Sequence, residues 1–330
     1  MPIVLSRRQI LLVVLATLVS APAARAQPVT RRARVGVLAS STEANFVPSV
    51  KVFRDTLRTV GWVEGQNLTL EVRYGGEGYT RLPEMATELV RLKVEVIASL
   101  GTPATEAAKR ATTTIPIVME SLSDVVASGL VSNLARPGGN VTGVSGFAPE
   151  LSGKRLELIR EVRPNAARVA ILTNRANRAT ASVIRSTEAA AQQMRMQLSV
   201  TDVRQPSDLE GAFETMARAR ADAFVLAADP LLFSQSRRIV DLAARHRLPA
   251  VYETRLFTEA GGLLSYGPLT YERFARVAVY VDRILRGAQP GDLPVERPST
   301  FELVVNLKTA RSLGLDVPPA LRLRADHVIE

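Results

Sequence analysis

Short runs of β-forming residues alternate with amphipathic helical runs along most of the chain, and this alternation restricts the fold more than any other feature. In its first part we predict strands at 35–38, 68–73, 94–99, 115–119 and 141–144, and helices at 44–61, 80–92, 103–111 and 125–134. The pattern then restarts, with strands at 168–173, 197–203, 222–227, 249–252 and 262–265, and helices at 179–194, 207–220, 234–246 and 254–260. Strands that alternate with helices are typical of parallel sheets covered by helices on both faces. The sequence therefore predicts two α/β units in tandem.

An amphipathic helix and one further strand follow the second unit. The helix at 270–286 places Phe274 and Val281 on one apolar stripe, and Gly287 ends it. A strand at 301–305 and a short helix complete the chain. The first unit lacks a closing element after its last strand, and the apolar stripe of the helix needs a face to cover. A length of 330 residues suits two compact domains better than one.

The composition excludes several kinds of chemistry. The chain has no Cys, which excludes thiol nucleophiles, disulfides, Cys-ligated zinc and a lipid-modified N-terminal cysteine. Its two His, His246 and His327, are isolated and leave little for a metal site or for His-based acid–base catalysis. The patterns G-x-S-x-G, H-E-x-x-H, G-x-x-x-x-G-K-[ST] and G-x-G-x-x-G are all absent. We therefore expect no metal, no cofactor and no enzyme activity.

The formal charge of +10 raises the question of a nucleic-acid partner. The basic residues are scattered among acidic ones, with no basic run and no aromatic interleaving. We therefore expect no nucleic-acid partner.

The first 26 residues have the pattern of an export signal. Arg7 and Arg8 precede an apolar stretch at 10–19, and small residues follow up to Ala26. The arginine pair resembles a twin-arginine signal, and an ordinary Sec signal is an equal alternative. An uncleaved membrane anchor is a further alternative, which the short apolar stretch disfavours. We predict cleavage, a mature chain that begins at Gln27, and a periplasmic location.

The turns after the strands are the candidate binding site, because ligands of open parallel sheets bind beyond the carboxyl ends of the strands. In the first unit these turns place Ser40 and Ser41 after the first strand, and Thr102, Ala104 and Thr105 after the third. A Thr-Pro pair suits a helix start and leaves backbone N–H groups free for an anion. We predict that these residues bind a carboxylate. The alternative is a helix start that contacts only water.

In the second unit, Asn174 and Asp229 follow two of the strands. Asp229 precedes Pro, so it suits either a ligand ammonium group or an ordinary helix cap. Tyr252 and Tyr266 follow further strands, and we predict that one or the other forms an apolar wall for the ligand; a plain packing role is an equal alternative. A carboxylate site and an ammonium site together indicate a small zwitterion such as an amino acid, and a carboxylate without an amino group is the alternative.

Four segments occur in an order and form that match a known family. They are DVVASGLVSNLARPGGNVTG at 124–143, LPAVYE at 248–253, AGGLLSYGP at 260–268 and NLKTARSLGL at 306–315. Together they resemble the ABC-transporter substrate-binding protein family often labelled tryptophan/tyrosine-type, and the similarity covers essentially all of the mature chain. One difference is Val125, where the family usually has Pro.

The resemblance implies a type I periplasmic binding protein fold, in which two Rossmann-like lobes with parallel sheets are joined by three crossovers. The crossovers would lie near 143–147, 265–268 and 296–300. The first lobe would comprise 27–145 plus 268–298, and the second lobe 146–267 plus 299–330. This division places the helix at 270–286 on the first lobe and the strand at 301–305 on the second.

The export signal and the resemblance together imply a periplasmic solute-binding receptor of an ABC import system. A monomer would close its lobes on a small carboxylate-bearing solute, with an amino acid as the candidate, and deliver it to an ABC permease in the inner membrane. One alternative is a periplasmic ligand-sensing module of a membrane signalling protein. Another is an exported enzyme that uses Asp124, Asp229 or Glu253 as acid–base groups.

Overall fold

A computed structural model describes residues 31–122, 124–146 and 150–330, except for the side chain of Thr270. The predicted export signal at 1–26 lies outside these residues. Within them, no helix has both the length and the apolar character that a membrane span requires. The described residues fold into two α/β lobes. We call the lobe with the five-stranded sheet the first lobe and the lobe with the seven-stranded sheet the second lobe.

The first lobe contains a five-stranded parallel sheet in the order β2-β1-β3-β4-β5. Its strands are β1 (Ala33–Ala39), β2 (Leu68–Tyr74), β3 (Val96–Leu100), β4 (Ile117–Ser121) and β5 (Val141–Ser145). Helices α1 (Glu43–Thr59), α2 (Leu82–Arg91) and α3 (Thr102–Ala111) follow the first three strands. The three strands β3, β4 and β5 are buried along their whole length, as expected where helices cover both faces.

The second lobe contains a seven-stranded sheet in the order β12-β11-β10-β9-β8-β6-β7. Its strands are β6 (Arg168–Thr173), β7 (Gln197–Asp202), β8 (Ala223–Leu226), β9 (Ala250–Tyr252), β10 (Leu264–Pro268), β11 (Phe301–Asn306) and β12 (His327–Ile329). Its helices are α4 (Glu150–Val162), α5 (Thr180–Gln193), α6 (Leu209–Arg218), α7 (Pro230–Ser234), α8 (Ser236–Arg245), α9 (Arg255–Glu259), α11 (Leu307–Leu313) and α12 (Pro319–Arg324). Most of the predicted elements are therefore present, within a few residues of their predicted bounds.

The remaining helix, α10 (Thr270–Leu285), returns to the first lobe. It packs against α1 and β4, and Phe274 and Val281 join the same core as Phe53. The indole Nε1 of the buried Trp62 donates a hydrogen bond of 2.8 Å to Asp282 on α10. Helix α10 therefore covers a face of the first sheet. The chain thus passes between the lobes three times, after β5, after β10 and before β11.

Three expectations need correction. The second sheet is not entirely parallel, because β11 pairs antiparallel with β10. The helix expected at 125–134 is wrong, since turns and bends occupy that segment. Asp124 Oδ1 accepts hydrogen bonds from the backbone N–H groups of Val126 and Ala127, and Gly129 has a φ of +70°. This side-chain turn competes with a helix. The expectation that a short helix after the strand at 301–305 completes the chain is also wrong, since α12 and β12 follow that helix, and helix α4 was not predicted at all.

Candidate functional site

A cavity of about 560 Å³ lies between the two lobes. The first lobe contributes the start of α1, the carboxyl ends of β3 and β4, and the start of α10. The second lobe contributes α7, α9 and the end of β10. This volume, at the carboxyl ends of parallel strands, suits a small-molecule ligand.

Apolar side chains from both lobes line this cavity, and we call these side chains together the aromatic wall. Phe46, Tyr271 and Phe274 come from the first lobe, and Phe233 and Leu256 come from the second. The rings of Phe46 and Phe274 meet edge to face, with their centroids 6.4 Å apart. Tyr271 is 55% exposed and Leu256 is 46% exposed. The wall therefore presents aromatic surface on which a flat apolar group of a ligand can pack.

A buried ion pair lies at the polar part of the cavity. Arg273 Nε on α10 lies 3.0 Å from Glu120 Oε1 at the end of β4, and each side chain is only 5% exposed. The N–H direction is not aligned with this oxygen, so the pair makes no hydrogen bond through these atoms. Arg273 Nη1 is also buried without a hydrogen-bond partner. A buried guanidinium with unused donors is costly unless an acceptor arrives, so Arg273 is suited to bind an anionic group.

Glu253 lies beside this ion pair, in a side pocket of about 30 Å³ that shares Thr254 and Arg273 with the main cavity. Its side chain follows β9 and is buried, and Oε1 has no hydrogen-bond partner. Burial raises the pKa of Glu253 to about 8, although the positive charges of Arg155 and Arg273 lower it. The carboxyl group is therefore mostly protonated at neutral pH, and a cationic group in contact with it would favour its ionised form.

The predicted residues of the first lobe lie together around the start of α3, and protein atoms occupy most of their polar groups. Ser40 Oγ accepts the backbone N–H of Ala104 at 3.0 Å and donates to the Leu100 carbonyl. Ser41 Oγ accepts from Asn45 at 2.9 Å. The hydroxyl oxygens of Thr102 and Ser121 are 2.8 Å apart, and those of Thr105 and Ser99 are 2.9 Å apart. Of these predicted residues, only Thr102 lines the cavity.

Asp229 is fully buried and caps the start of α7, where its Oδ1 accepts the backbone N–H groups of Leu231 and Leu232. The side-chain amide of the predicted residue Asn174 donates to the same oxygen at 3.2 Å. Oδ2 accepts from the amide of Asn177 at 2.9 Å and from the hydroxyl of Tyr79 at 2.6 Å. Burial raises the pKa of Asp229, and these donors oppose that rise. Asp229 and Asn174 are therefore neighbours, five protein donors already surround the carboxylate, and the assignment of both residues as ligand contacts stays a prediction.

The two predicted tyrosines lie outside the cavity wall. Tyr252 is buried in the core of the second lobe, where its ring stacks on Phe257 with centroids 4.7 Å apart. Tyr266 packs against Phe301 at 6.2 Å, and its backbone carbonyl accepts a hydrogen bond from Arg155. The contacts of both rings are those of packing residues, and their assignment as ligand contacts stays a prediction.

Sequence reasoning missed Glu120 and Arg273, and considered Glu253 only as a group of a hypothetical enzyme. One available signal was that Glu120 is the single charged residue in the apolar strand β4. A charged residue in a strand buried on both faces needs a partner, which indicates a functional role. The signal for Arg273 was its place in the first turn of the helix that follows the second crossover.

A comparison of the sequence with models of known protein families identifies the family of this chain. The model of the family described as ABC transporter substrate binding protein matches residues 34–329. The chain belongs to this family. The family that the four sequence segments indicated is thereby confirmed. ABC transporter substrate-binding proteins are solute-binding proteins, not enzymes, and act outside the cytoplasm or in the periplasm.

Individual relatives agree with this membership. A tyrosine-binding protein of Clostridioides difficile is 24% identical over 279 residues, which cover 84% of this chain and 78% of that protein. The crystal structure of a conserved domain protein from Vibrio cholerae has a TM-score of 0.86 at 26% identity, over 90% of this chain and 100% of that chain. The ABC domain in complex with L-Trp from Streptococcus pneumoniae has a TM-score of 0.85 at 24% identity, over the same shares. The predicted type I periplasmic binding protein fold is also confirmed, since the leucine-binding protein LivK of Thermotoga maritima shares it.

Proposed function

We propose that this substrate-binding protein binds an amino acid with an aromatic side chain in the periplasm and delivers it to an ABC permease of the inner membrane. The observation that carries the proposal is the presence of unpaired buried atoms of opposite character, on Arg273 and Glu253, beside an aromatic wall. A zwitterion satisfies both groups at once.

In this proposal the ligand carboxylate binds Arg273 Nη1, the buried donor that lacks a partner. Glu120 holds the guanidinium in place from the other side. Thr102, at the start of α3, lines the same cavity and supplies a hydroxyl and the positive end of a helix dipole. Thr102 is thus the residue of the predicted carboxylate site that remains in the proposed one.

The ligand ammonium group binds Glu253. Its buried Oε1 has no hydrogen-bond partner among the residues that the structure describes, whereas both oxygens of Asp229 have several. An ammonium group at Asp229 would have to displace protein donors, which costs the hydrogen bonds that they make. Glu253 therefore suits this role better than Asp229.

The ligand side chain packs between Phe46 and Phe274 on one lobe and Phe233 on the other. Burial of an aromatic ring against such rings adds about 0.5–1.5 kcal/mol per pair beyond the area term. A relative that is named tyrosine-binding and a neighbour that was solved with L-Trp support this ligand class.

The transport role and the location rest on the family and on the N-terminal sequence. We propose that the segment at 1–26 directs export and is removed, so that the mature chain begins at Gln27 and moves freely as a monomer in the periplasm. N-terminal sequencing of the exported protein tests this point. A chain that still begins at Met1 and stays with the membrane would contradict it.

A thermal-shift screen followed by calorimetry tests the proposed ligand. L-Tryptophan, L-tyrosine and L-phenylalanine should raise Tm, because a ligand at about 100 times its Kd stabilises the native state by about 2.7 kcal/mol. Tryptamine lacks the carboxylate and indolepropionate lacks the ammonium group, so both should bind at least about 30-fold more weakly than L-tryptophan. The proposal fails if no aromatic amino acid binds, or if indolepropionate binds as tightly as L-tryptophan.

A further inference from the structure

Tyr79 of the first lobe contacts a polar cluster of the second lobe on the side of the cleft away from the crossovers. It follows β2, an edge strand of the first sheet. Asn174 of the second lobe follows β6, which lies next to the edge strand β7. The crossovers leave from β5, β10 and β11, toward the opposite ends of the two sheets. A rotation about the crossovers therefore separates the groups around Tyr79 by a large distance.

The hydroxyl of Tyr79 completes the set of donors around Asp229. It donates to Oδ2 of Asp229 at 2.6 Å and accepts a hydrogen bond from Asn174 at 3.2 Å. The other four donors, two backbone N–H groups and the amides of Asn174 and Asn177, belong to the same lobe as Asp229. Tyr79 is thus the one donor to this carboxylate, among the residues that the structure describes, that arrives from across the cleft.

Opening of the cleft breaks the hydrogen bond from Tyr79 to Asp229 and leaves the other four hydrogen bonds to Asp229 intact. Asn174, Asn177 and the cap of α7 move together with Asp229, so its carboxylate stays largely hydrogen-bonded in an open form. Among the described residues, the hydrogen bond from Tyr79 is the one bond to Asp229 that is lost on opening and regained on closure, together with the bond from Asn174 to the Tyr79 hydroxyl. Hydrogen bonds to an ionised acceptor correspond to about a 10- to 100-fold change in an equilibrium constant.

The backbone of the first lobe also approaches the second lobe closely near this hydrogen bond. Gly101, which precedes α3 in the first lobe, has a φ of +95°, and a Cβ atom there would lie 3.4 Å from Pro230 Cγ of the second lobe. Pro230 directly follows Asp229, so the two lobes pack closely beside the Tyr79 hydrogen bond.

We propose that Tyr79 and Asp229 form a latch that closes the cleft without a ligand, so that the protein exchanges between open and closed forms before a solute binds. Tyr79 acts here as a positioning residue that sets the closed population. The apparent affinity for any solute then scales with that population.

The absence of Cys from the natural sequence allows a direct test by paired labelling. Thr69 on β2 and Ser199 on β7 are exposed and lie on the edge strands away from the crossovers. Both are replaced by Cys in the exported protein, spin labels are attached, and the distance distribution is measured after exhaustive dialysis to remove solutes. We expect a short and a long distance in the otherwise unchanged protein. Tyr79→Phe should lower the ratio of short to long at least about 10-fold.

Tyr280→Phe is the matched control. The Tyr280 hydroxyl donates to the Pro294 carbonyl at 2.6 Å, the same length as the latch, but both residues belong to the first lobe. This variant should keep the distance distribution of the parent protein. A parent protein that shows only the long distance would overturn the proposal. So would a Tyr79→Phe variant that matches the parent, or a Tyr280→Phe variant that opens as much. Because no ligand is present, these results do not depend on the proposed amino acid.

Discussion

The two buried polar clusters of the cleft differ in how completely protein atoms satisfy them. Arg273 and Glu253 are buried with donor and acceptor atoms that no group of the described residues meets. Asp229 follows the neighbouring strand, one step farther from the crossovers, and accepts five hydrogen bonds, one of them from the opposite lobe. Buried polar atoms are nearly always paired in folded proteins, so the unpaired set is where a ligand fits and the paired set is where the lobes meet each other.

This difference also separates two kinds of charged residue that look alike in the sequence. Asp229 and Glu253 each follow a strand of the second sheet at its carboxyl end. The residue after Asp229 starts a helix, so the local backbone uses one carboxylate oxygen as a cap. Glu253 caps no helix, since Thr254 precedes α9. The local chain therefore decides which carboxylate remains free for a ligand.

The largest effect is expected for Arg273→Met. This change removes the proposed carboxylate partner and leaves Glu120 buried without its ion pair, so L-tryptophan affinity should fall at least about 100-fold in calorimetry. Arg276→Met, on the same helix, is the control because its ion pair with Glu296 is largely exposed and should change affinity less than about threefold. Equal affinities of the two variants would show that Arg273 does not bind the ligand carboxylate.

The next largest effect is expected for Glu253→Gln. The loss of a buried charge partner for the ligand ammonium group should weaken L-tryptophan binding by about 30-fold or more at about pH 8. Indolepropionate, which has no ammonium group, should bind the variant and the parent protein equally. A variant that binds L-tryptophan normally would show that Glu253 does not contact the ammonium group.

The pH dependence of binding follows from the raised pKa of Glu253, about 8 in the free protein. Below that pH the carboxyl group is protonated, and an ammonium group must expel the proton to pair with it. Affinity for L-tryptophan should therefore rise with pH between about 6 and 8, by up to about tenfold per unit, and then level off. Titration calorimetry across this range should show a flat profile for Glu253→Gln. A flat profile in the parent protein would contradict the proposal that Glu253 must lose a proton to pair with the ligand ammonium group.

The raised pKa of Glu253 also affects the free energy of unfolding, which should fall with rising pH where ligand affinity rises. A carboxyl group whose folded-state pKa lies above its ordinary value of 4.5 holds a proton that the unfolded chain releases. Its contribution to the free energy of unfolding therefore decreases as pH rises from about 4.5 toward 8. The ligand-free Glu253→Gln variant should lose this part of the pH dependence in denaturant titrations.

Smaller effects are expected at Asp229. Asn caps helices nearly as well as Asp, so Asp229→Asn should keep α7 and lower L-tryptophan affinity less than about tenfold, mainly through a weaker latch. If Asp229 instead faces the ligand ammonium group, as the sequence alone suggested, the loss should be on the order of 2–5 kcal/mol. Calorimetry of Asp229→Asn beside Glu253→Gln decides between the two carboxylates.

The smallest effect is expected for Tyr252→Phe. The Tyr252 ring stacks on Phe257 inside the second lobe and does not line the cavity, so ligand affinity should stay within about twofold of the parent protein. Phe274→Ala on the cavity wall is the comparison and should lower affinity markedly, because it removes an aromatic surface. A large loss of affinity in Tyr252→Phe would support the prediction that Tyr252 contacts the ligand.

The sequence could predict the architecture because strand and helix periodicity is a local property. Helix α10 shows its limit, since its stripe indicates a partner surface, whereas its place on the first lobe came from the resemblance to the family and from the missing closing element of the first unit. The antiparallel β11 was unpredictable because pairing direction depends on where the chain re-enters the lobe. The turn at Asp124 was misread because side-chain capping overrode a helical pattern.

The site was predictable only as a location. The carboxyl ends of the strands do border the cavity, and Thr102 lines it, but its role as a ligand contact stays a prediction. Which polar atoms stay free depends on tertiary partners such as Ser40 for Ala104 and Tyr79 for Asp229. Those partners are distant in sequence, so no local pattern revealed that the free atoms are on Arg273 and Glu253.

A crystal structure of the protein with L-tryptophan tests the central claim most directly. We expect a ligand carboxylate oxygen within about 3 Å of Arg273 Nη1, the ligand ammonium group at a similar distance from Glu253, and the Tyr79–Asp229 hydrogen bond still in place. An ammonium group bound to Asp229, with Tyr79 displaced, would contradict the assignment of the two clusters.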